Sequence, residues 1–186
     1  MELESSPQPS IFTIGHSTRA VEAFIELLTA HDVRQLVDVR TIPRSRHNPQ
    51  FNRETLPKTL ACAGISYTHM ERLGGLRHAR LDSPNTGWHN SSFRGFADYM
   101  QTPEFAAGLE TLIQAAGVEQ VAIMCAEAVP WRCHRSLVAD ALMTRGYPVA
   151  HIMSASRAQP HSVTSFAVVS GSSITYPPSI KGNSLI

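Results

Sequence analysis

The sequence holds three cysteines among its 186 residues, an odd and small number that excludes a disulfide-stapled scaffold. It has no apolar run near the length of about eighteen residues that a membrane-crossing helix needs. No signal-peptide pattern precedes the first apolar run, so a reducing cytoplasm is the expected compartment and a membrane is not an expected partner. An excess of one charge is missing too. Sixteen Lys and Arg stand against fifteen Asp and Glu, a net charge of +1, which excludes general attraction to nucleic acid and requires any anion site to be local. What is present is 42% hydrophobic and 17% charged content, the balance of a globular chain of one-domain size.

The organising stretch is 121–147. Its first five residues, VAIMC, form a continuous apolar run of the kind buried on both faces of a parallel sheet. Leu137, Val138, Ala141 and Leu142 then recur with helical period, and Gly146 ends that helix. The linker between them carries Cys125, Glu127, Arg132, Cys133, His134 and Arg135. A turn needs only punctuation, which Pro130 supplies, and each cysteine taken alone could be a small buried hydrophobe. So many charged and nucleophilic groups in so short a span are expensive to hold at a sheet end without partners, and they mark a candidate site.

Residues 1–10 are a polar leader expected to be flexible, 11–167 a single domain, and 168–186 a loosely ordered Ser-, Pro- and Gly-rich tail. Strands are expected at 11–15, 35–40, 65–69, 121–125 and 149–153, alternating with helices. The first helix is expected to be capped by Ser17 or Thr18, and a later one by Asn52; Thr102 and Pro103 suit a cap and first turn. This alternation predicts an α/β three-layer sandwich around a mostly parallel, Rossmann-like sheet of about five strands. Ligands bind such sheets beyond the carboxyl ends of the strands. His16 and Arg19, Arg40 and Arg44, His69 and Glu71, and Cys125 and Glu127 all follow predicted strand ends. Asp38, inside an apolar strand, requires a partner such as Arg40, Arg44, Arg46 or His47. The loop 41–52, with Arg44, His47 and Asn48, is therefore either a self-paired network or an anion clamp.

The segments TIGHSTR (13–19), VDVRTIPRSRHNPQFN (37–52), LGG (73–75), SPNTGWHNSSFRGFADYMQTPEF (83–105) and MCAEAVPWRCHRSLVADAL (124–142) resemble those of the domain of unknown function 488 family. The resemblance runs over 11–167. It implies an α/β fold and carries no reaction with it. Where that family tends to read Leu-Thr-Pro-Phe, this chain has Val163-Thr164-Ser165-Phe166.

Several chemistries fit the pattern. A cysteine phosphatase or sulfurtransferase loop needs an arginine six residues beyond Cys125, and Trp131 stands there. A metal could be held by Cys125, Cys133 or His134, although seven residues separate the two cysteines, against the short gaps of structural zinc sites; no cofactor is required by the pattern. The favoured reading makes Glu127 a general base or nucleophile, with Asp38 or Glu71 as a second carboxylate and Cys125 and Cys133 as further catalytic candidates. His16, Arg19, Arg40, Arg44, His47, Asn48, His134 and Arg135 would then hold a phosphate, a nucleotide or a nucleic-acid-derived substrate for glycosidic or N-glycosidic cleavage. A non-catalytic nucleotide or nucleic-acid binding module, with Trp88, Trp131 or Tyr67 stacking on a base, is the alternative from another class.

Overall fold

The structure, a computed structural model, describes residues 11–178. Six strands form the main sheet: β1 (Ile11–Gly15), β2 (Gln35–Asp38), β3 (Ser66–His69), β4 (Val121–Cys125), β5 (Val149–Ser154) and β6 (Arg157–Pro160). Their order is β3-β2-β4-β1-β5-β6. The first five run parallel, and β6 returns antiparallel on β5. The fold is thus the expected three-layer α/β sandwich, with one more strand than the sequence announced.

The side-chain alternation of a strand decides which residues feed each layer. Ile11, Val37, Val39, Val121, Ile123 and Val149 face α3 (Ser91–Tyr99), α4 (Pro103–Ala116) and α5 (Arg135–Met143). Phe12, Ile14, Leu36, Ala122, Met124 and Ile152 face α1 (Val21–Ala30) and α2 (Leu56–Cys62). Thr102 caps α4 by accepting the Phe105 amide at 3.3 Å, with Pro103 in the first turn, as its sequence suggests. Two other caps differ from expectation. Ala20 precedes α1 with no side-chain cap, because Ser17 turns away at φ 51° and donates its amide to Ala126. Asn52 instead accepts the Ser45 amide at 2.6 Å, and α2 begins four residues later with Pro57 in its first turn.

The expected loose tail is also corrected over 168–178. Val168–Ser170 (β7) and Ser173–Thr175 (β8) form a hairpin, and Tyr176 behind it is fully buried. The reason is polar. Asp140, buried on α5, accepts the Tyr176 hydroxyl at 2.8 Å, the Thr164 hydroxyl at 2.7 Å and His161 Nε2 at 2.7 Å. Residues 1–10 and 179–186, the expected leader and the end of the tail, lie outside the described residues.

The Asp140 chain of hydrogen bonds continues inward. His161 Nε2 donates to the carboxylate, so its Nδ1 accepts from His151 Nε2 at 3.0 Å, and His151 Nδ1 accepts the Thr13 hydroxyl at 2.7 Å. Burial, then His161 and the Arg135 charge, push His151 down to about 3. The unfolded chain therefore binds a proton that the folded one refuses between about pH 3 and 6.5, and the stability present above pH 6.5 is lost as pH falls through that window. The thermal midpoint is expected to hold steady above pH 7 and fall continuously toward pH ~4, less steeply in His151→Gln. A midpoint in the natural protein that is flat down to pH ~4 contradicts this assignment.

Candidate functional site

The carboxyl ends of β1, β2 and β4 lie side by side, and backbone pairing continues past them. His16 and Ser17 donate their amides to Cys125 and Ala126, each at 2.9 Å, and Val39 donates to Met124 at 3.0 Å. Above these ends opens a cavity of about 700 Å³. It brings together His16, Arg40, Arg44 and Asn48 from the first two strand ends with Cys125, Glu127, Cys133 and His134 from the third. Arg19, Asp38, His47 and Arg135 do not line it.

Asp38 is sealed below the cavity. Arg40 grips it through Nε at 2.9 Å and Nη2 at 2.6 Å, and the Tyr67 hydroxyl donates to Oδ2 at 2.7 Å. Burial, reinforced by the Asp38 charge and hydrogen bond, drives the Tyr67 hydroxyl far up, so it remains a donor. Arg40 also donates to the Phe51 carbonyl at 2.7 Å and to His16 Nε2 at 3.2 Å. His16 donates from Nδ1 to the Ser17 carbonyl at 2.7 Å, and burial holds its pKa below the ordinary value, in the neutral form this geometry needs. Arg40 is thus the buried partner of Asp38 rather than a free clamp, and neither Asp38 nor Tyr67 is available to a ligand.

Arg135 is a second correction. Only 1% exposed, it donates to the Glu127 carbonyl and, at 2.9 Å, to the Ala128 carbonyl, while its Nε has no partner among the described residues. It folds the loop between β4 and α5 back against the sheet, where the carbonyl of Glu127 passes so close to Gly15 that a Cβ there would collide with it. Arg19 likewise donates to its own chain, at the Gly15 carbonyl, 2.5 Å. His47 is exposed. Arg44 lies at the rim, 70% exposed, 3.2 Å from Glu54, a surface pair that contributes little.

The folded-back loop sets two sulfurs around one imidazole. His134 Nδ1 lies 3.9 Å from Cys125 Sγ and 3.7 Å from Cys133 Sγ, and all three atoms fall within 4.8 Å of one another. His134 Nε2 donates to the Val39 carbonyl at 3.1 Å, which turns Nδ1 toward the sulfurs. The ring is wedged between Gly75, where no side chain would fit, and the edge of Phe96 at 5.0 Å. The Cys133 thiol, donating to Cys125, and then His134 hold the Cys125 thiol well below its ordinary range, and Arg135 adds to this; the same bond and burial push Cys133 up. Such a group of donors can hold a soft metal or act as an activated thiol.

Glu127 lines the cavity, with Oε1 accepting the Val129 amide at 3.3 Å. It is the one carboxylate among the described residues lining it; Glu71 is exposed elsewhere. Of the aromatic residues considered for base stacking, Trp88 packs among Phe93, Phe166 and Tyr176, and Trp131 is exposed outside the cavity. Sequence reading passed over Arg132 as a ligand-binding residue, and Thr41, Gly75, Leu76 and Phe93, all of which line the cavity. The Leu73-Gly74-Gly75 motif was the available signal, since only a glycine admits the His134 ring. Removing the Asp38 carboxylate as Asp38→Ala leaves Arg40 buried and unpaired, and is expected to cost about 3–5 kcal/mol in urea unfolding. A cost below about 1 kcal/mol contradicts this structural role.

Comparison with known proteins adds one finding. No curated protein and no solved structure matches the chain. The sequence profile described as Domain of unknown function DUF488 matches residues 20–142, taking in β2, β4 and the loop that carries Cys125 to His134, while 13–19 lies before the matched span. The chain belongs to the DUF488 family.

Proposed function

We propose that the chain is a hydrolase acting on a phosphorylated or nucleotide-derived substrate at the strand-end cavity, with Glu127 as general base. One observation carries this reading: Glu127 is the one carboxylate among the described residues that line a 700 Å³ cavity. The Val129 amide orients its Oε1. A general base has to be fixed in direction and reach the substrate; the Val129 hydrogen bond and the cavity-lining position support that role for Glu127. Arg44 and Arg132, which line the same cavity, supply positive charge for a phosphate.

The chemistry narrows with the acids available. A two-carboxylate glycosidase requires a second acid across the cavity, whereas Asp38 is bound to Arg40 and Tyr67. One base suffices for N-glycosidic cleavage. Glu127 takes a proton from water, the oxygen bonds to the sugar carbon, and the carbon–nitrogen bond breaks with its electron pair leaving on the nitrogen, which is protonated in turn.

Glu127→Gln is expected to lower turnover on a panel of nucleotides by about a hundredfold to ten-thousandfold, with the fold intact by circular dichroism. Turnover unchanged in this variant removes Glu127 from the mechanism, and a ligand that binds but emerges unaltered makes the cavity a binding module. Arg44→Ala is expected to raise KM about tenfold with little change in kcat, as loss of uniform binding does.

A further inference from the structure

We propose that Cys125, Cys133 and His134 form a metal site that opens onto the cavity, taking one divalent transition ion of the zinc class. The inference deepens the hydrolase reading above, since it supplies the ion beside which Glu127 would work, but its evidence is independent of that reading.

Three features of the donor set point to a metal. The first is spacing. Metal–sulfur and metal–nitrogen bonds of 2.3 and 2.0–2.1 Å at tetrahedral angles place sulfur and nitrogen about 3.6 Å apart, and His134 Nδ1 stands 3.7 and 3.9 Å from the two sulfurs. The three donor atoms all lie within 4.8 Å of one another, so side-chain adjustment at the two cysteines closes the set around an ion. The second is the far side of the imidazole. Ligating histidines almost always donate their other N–H to a carbonyl or carboxylate, and His134 Nε2 donates to Val39 at 3.1 Å. The ring is also held in orientation by Gly75 and Phe96, so little ordering remains to be done when the ion binds. The third is charge. Arg135 is fully buried, and among the described residues no carboxylate is paired with it. Its guanidinium favours thiolates nearby, and two thiolates with a divalent ion make a neutral unit that the arginine does not repel.

The ligand count separates this site from a purely structural one. Structural zinc sites are closed by four protein ligands, whereas catalytic ones use three and leave a position for water or substrate. Only these three metal-binding side chains cluster among the described residues, and all three line the cavity. An ion there supplies Lewis acidity toward water or a substrate oxygen. Glu127, two residues beyond Cys125 and lining the same cavity, is the group placed to take the proton.

The test is elemental analysis of the full chain purified under reducing conditions, with cobalt(II) substitution as an optical readout. The expected result is about one equivalent of metal per chain and, with cobalt, an intense thiolate charge-transfer band with tetrahedral visible absorption. Cys133→Ser and His134→Ala are expected to lose at least about nine-tenths of the metal, while Glu127→Gln retains it. No metal in the natural protein after reconstitution with zinc, and no cobalt spectrum, overturns the proposal. So does a Cys125–Cys133 disulfide as the stable form under the same reducing conditions. The two readings fail separately. A metal-free protein that still loses turnover in Glu127→Gln keeps the hydrolase without the ion, whereas a metal-loaded protein indifferent to Glu127→Gln keeps the ion without that mechanism.

Discussion

The site rests on a backbone constraint at the end of β4. The chain leaves the sheet between two neighbours, β1 and β2, and has to turn back over them before α5 begins. Arg135 holds it there by donating to two successive carbonyls, and Gly15 leaves the room that the Glu127 carbonyl occupies. A buried guanidinium is costly unless its donors are used. Here the expense sits in the first residue of α5, whose buried face also carries Leu137, Val138, Ala141 and Leu142 and the hydrogen-bonded Asp140. The same fold-back brings Cys133 and His134 over Cys125, eight and nine residues away in sequence, and places Glu127 at the cavity.

A second network keeps that cavity from being filled with uncontrolled charge. Asp38, Arg40, His16 and Tyr67 satisfy one another beneath it, each with a defined donor or acceptor role. A buried ion pair of this sort is not in itself a source of stability, because desolvation offsets most of the attraction. Its effect is geometric. It fixes the end of β2, and through the Val39 carbonyl it fixes the direction in which His134 presents Nδ1.

Periodicity made the layers legible in the sequence, because a strand buried on both faces and a helix buried on one leave different apolar patterns. The placement of polar groups at strand ends likewise located the cavity, since topology tolerates an error of a residue or two. What could not be read was which polar group answers which. Arg40 lies two residues from Asp38 and was a named candidate for its partner, yet Arg44, Arg46 and His47, six to nine residues away, were candidates as well. The Asp140 hub was invisible for the same reason: its partners His161, Thr164 and Tyr176 lie 21 to 36 residues onward. Tyr176 sits in a segment, 168–186, whose Ser, Pro and Gly content reads as a loose end. Composition reports local preference, and a buried carboxylate can recruit distant donors against it.

This selective legibility biases any count of binding residues in one direction. A guanidinium near a strand end reads as an anion clamp, but a folded chain exposes many backbone carbonyls at those same ends, and each needs a donor. Arg19 answers Gly15, Arg40 answers Phe51 as well as Asp38, and Arg135 answers Glu127 and Ala128. Of the four arginines that sequence alone would assign to a phosphate, Arg40 and Arg44 line the cavity, Arg40 already committed to Asp38, and Arg132 joins them from the loop. Of these three, only Arg44 and Arg132 are not committed to a buried carboxylate, so the positive charge left at the cavity is smaller than the sequence suggests. The other chemically distinctive groups lining the cavity are the two sulfurs, the imidazole and the single carboxylate, which backbone geometry rather than net charge gathers there.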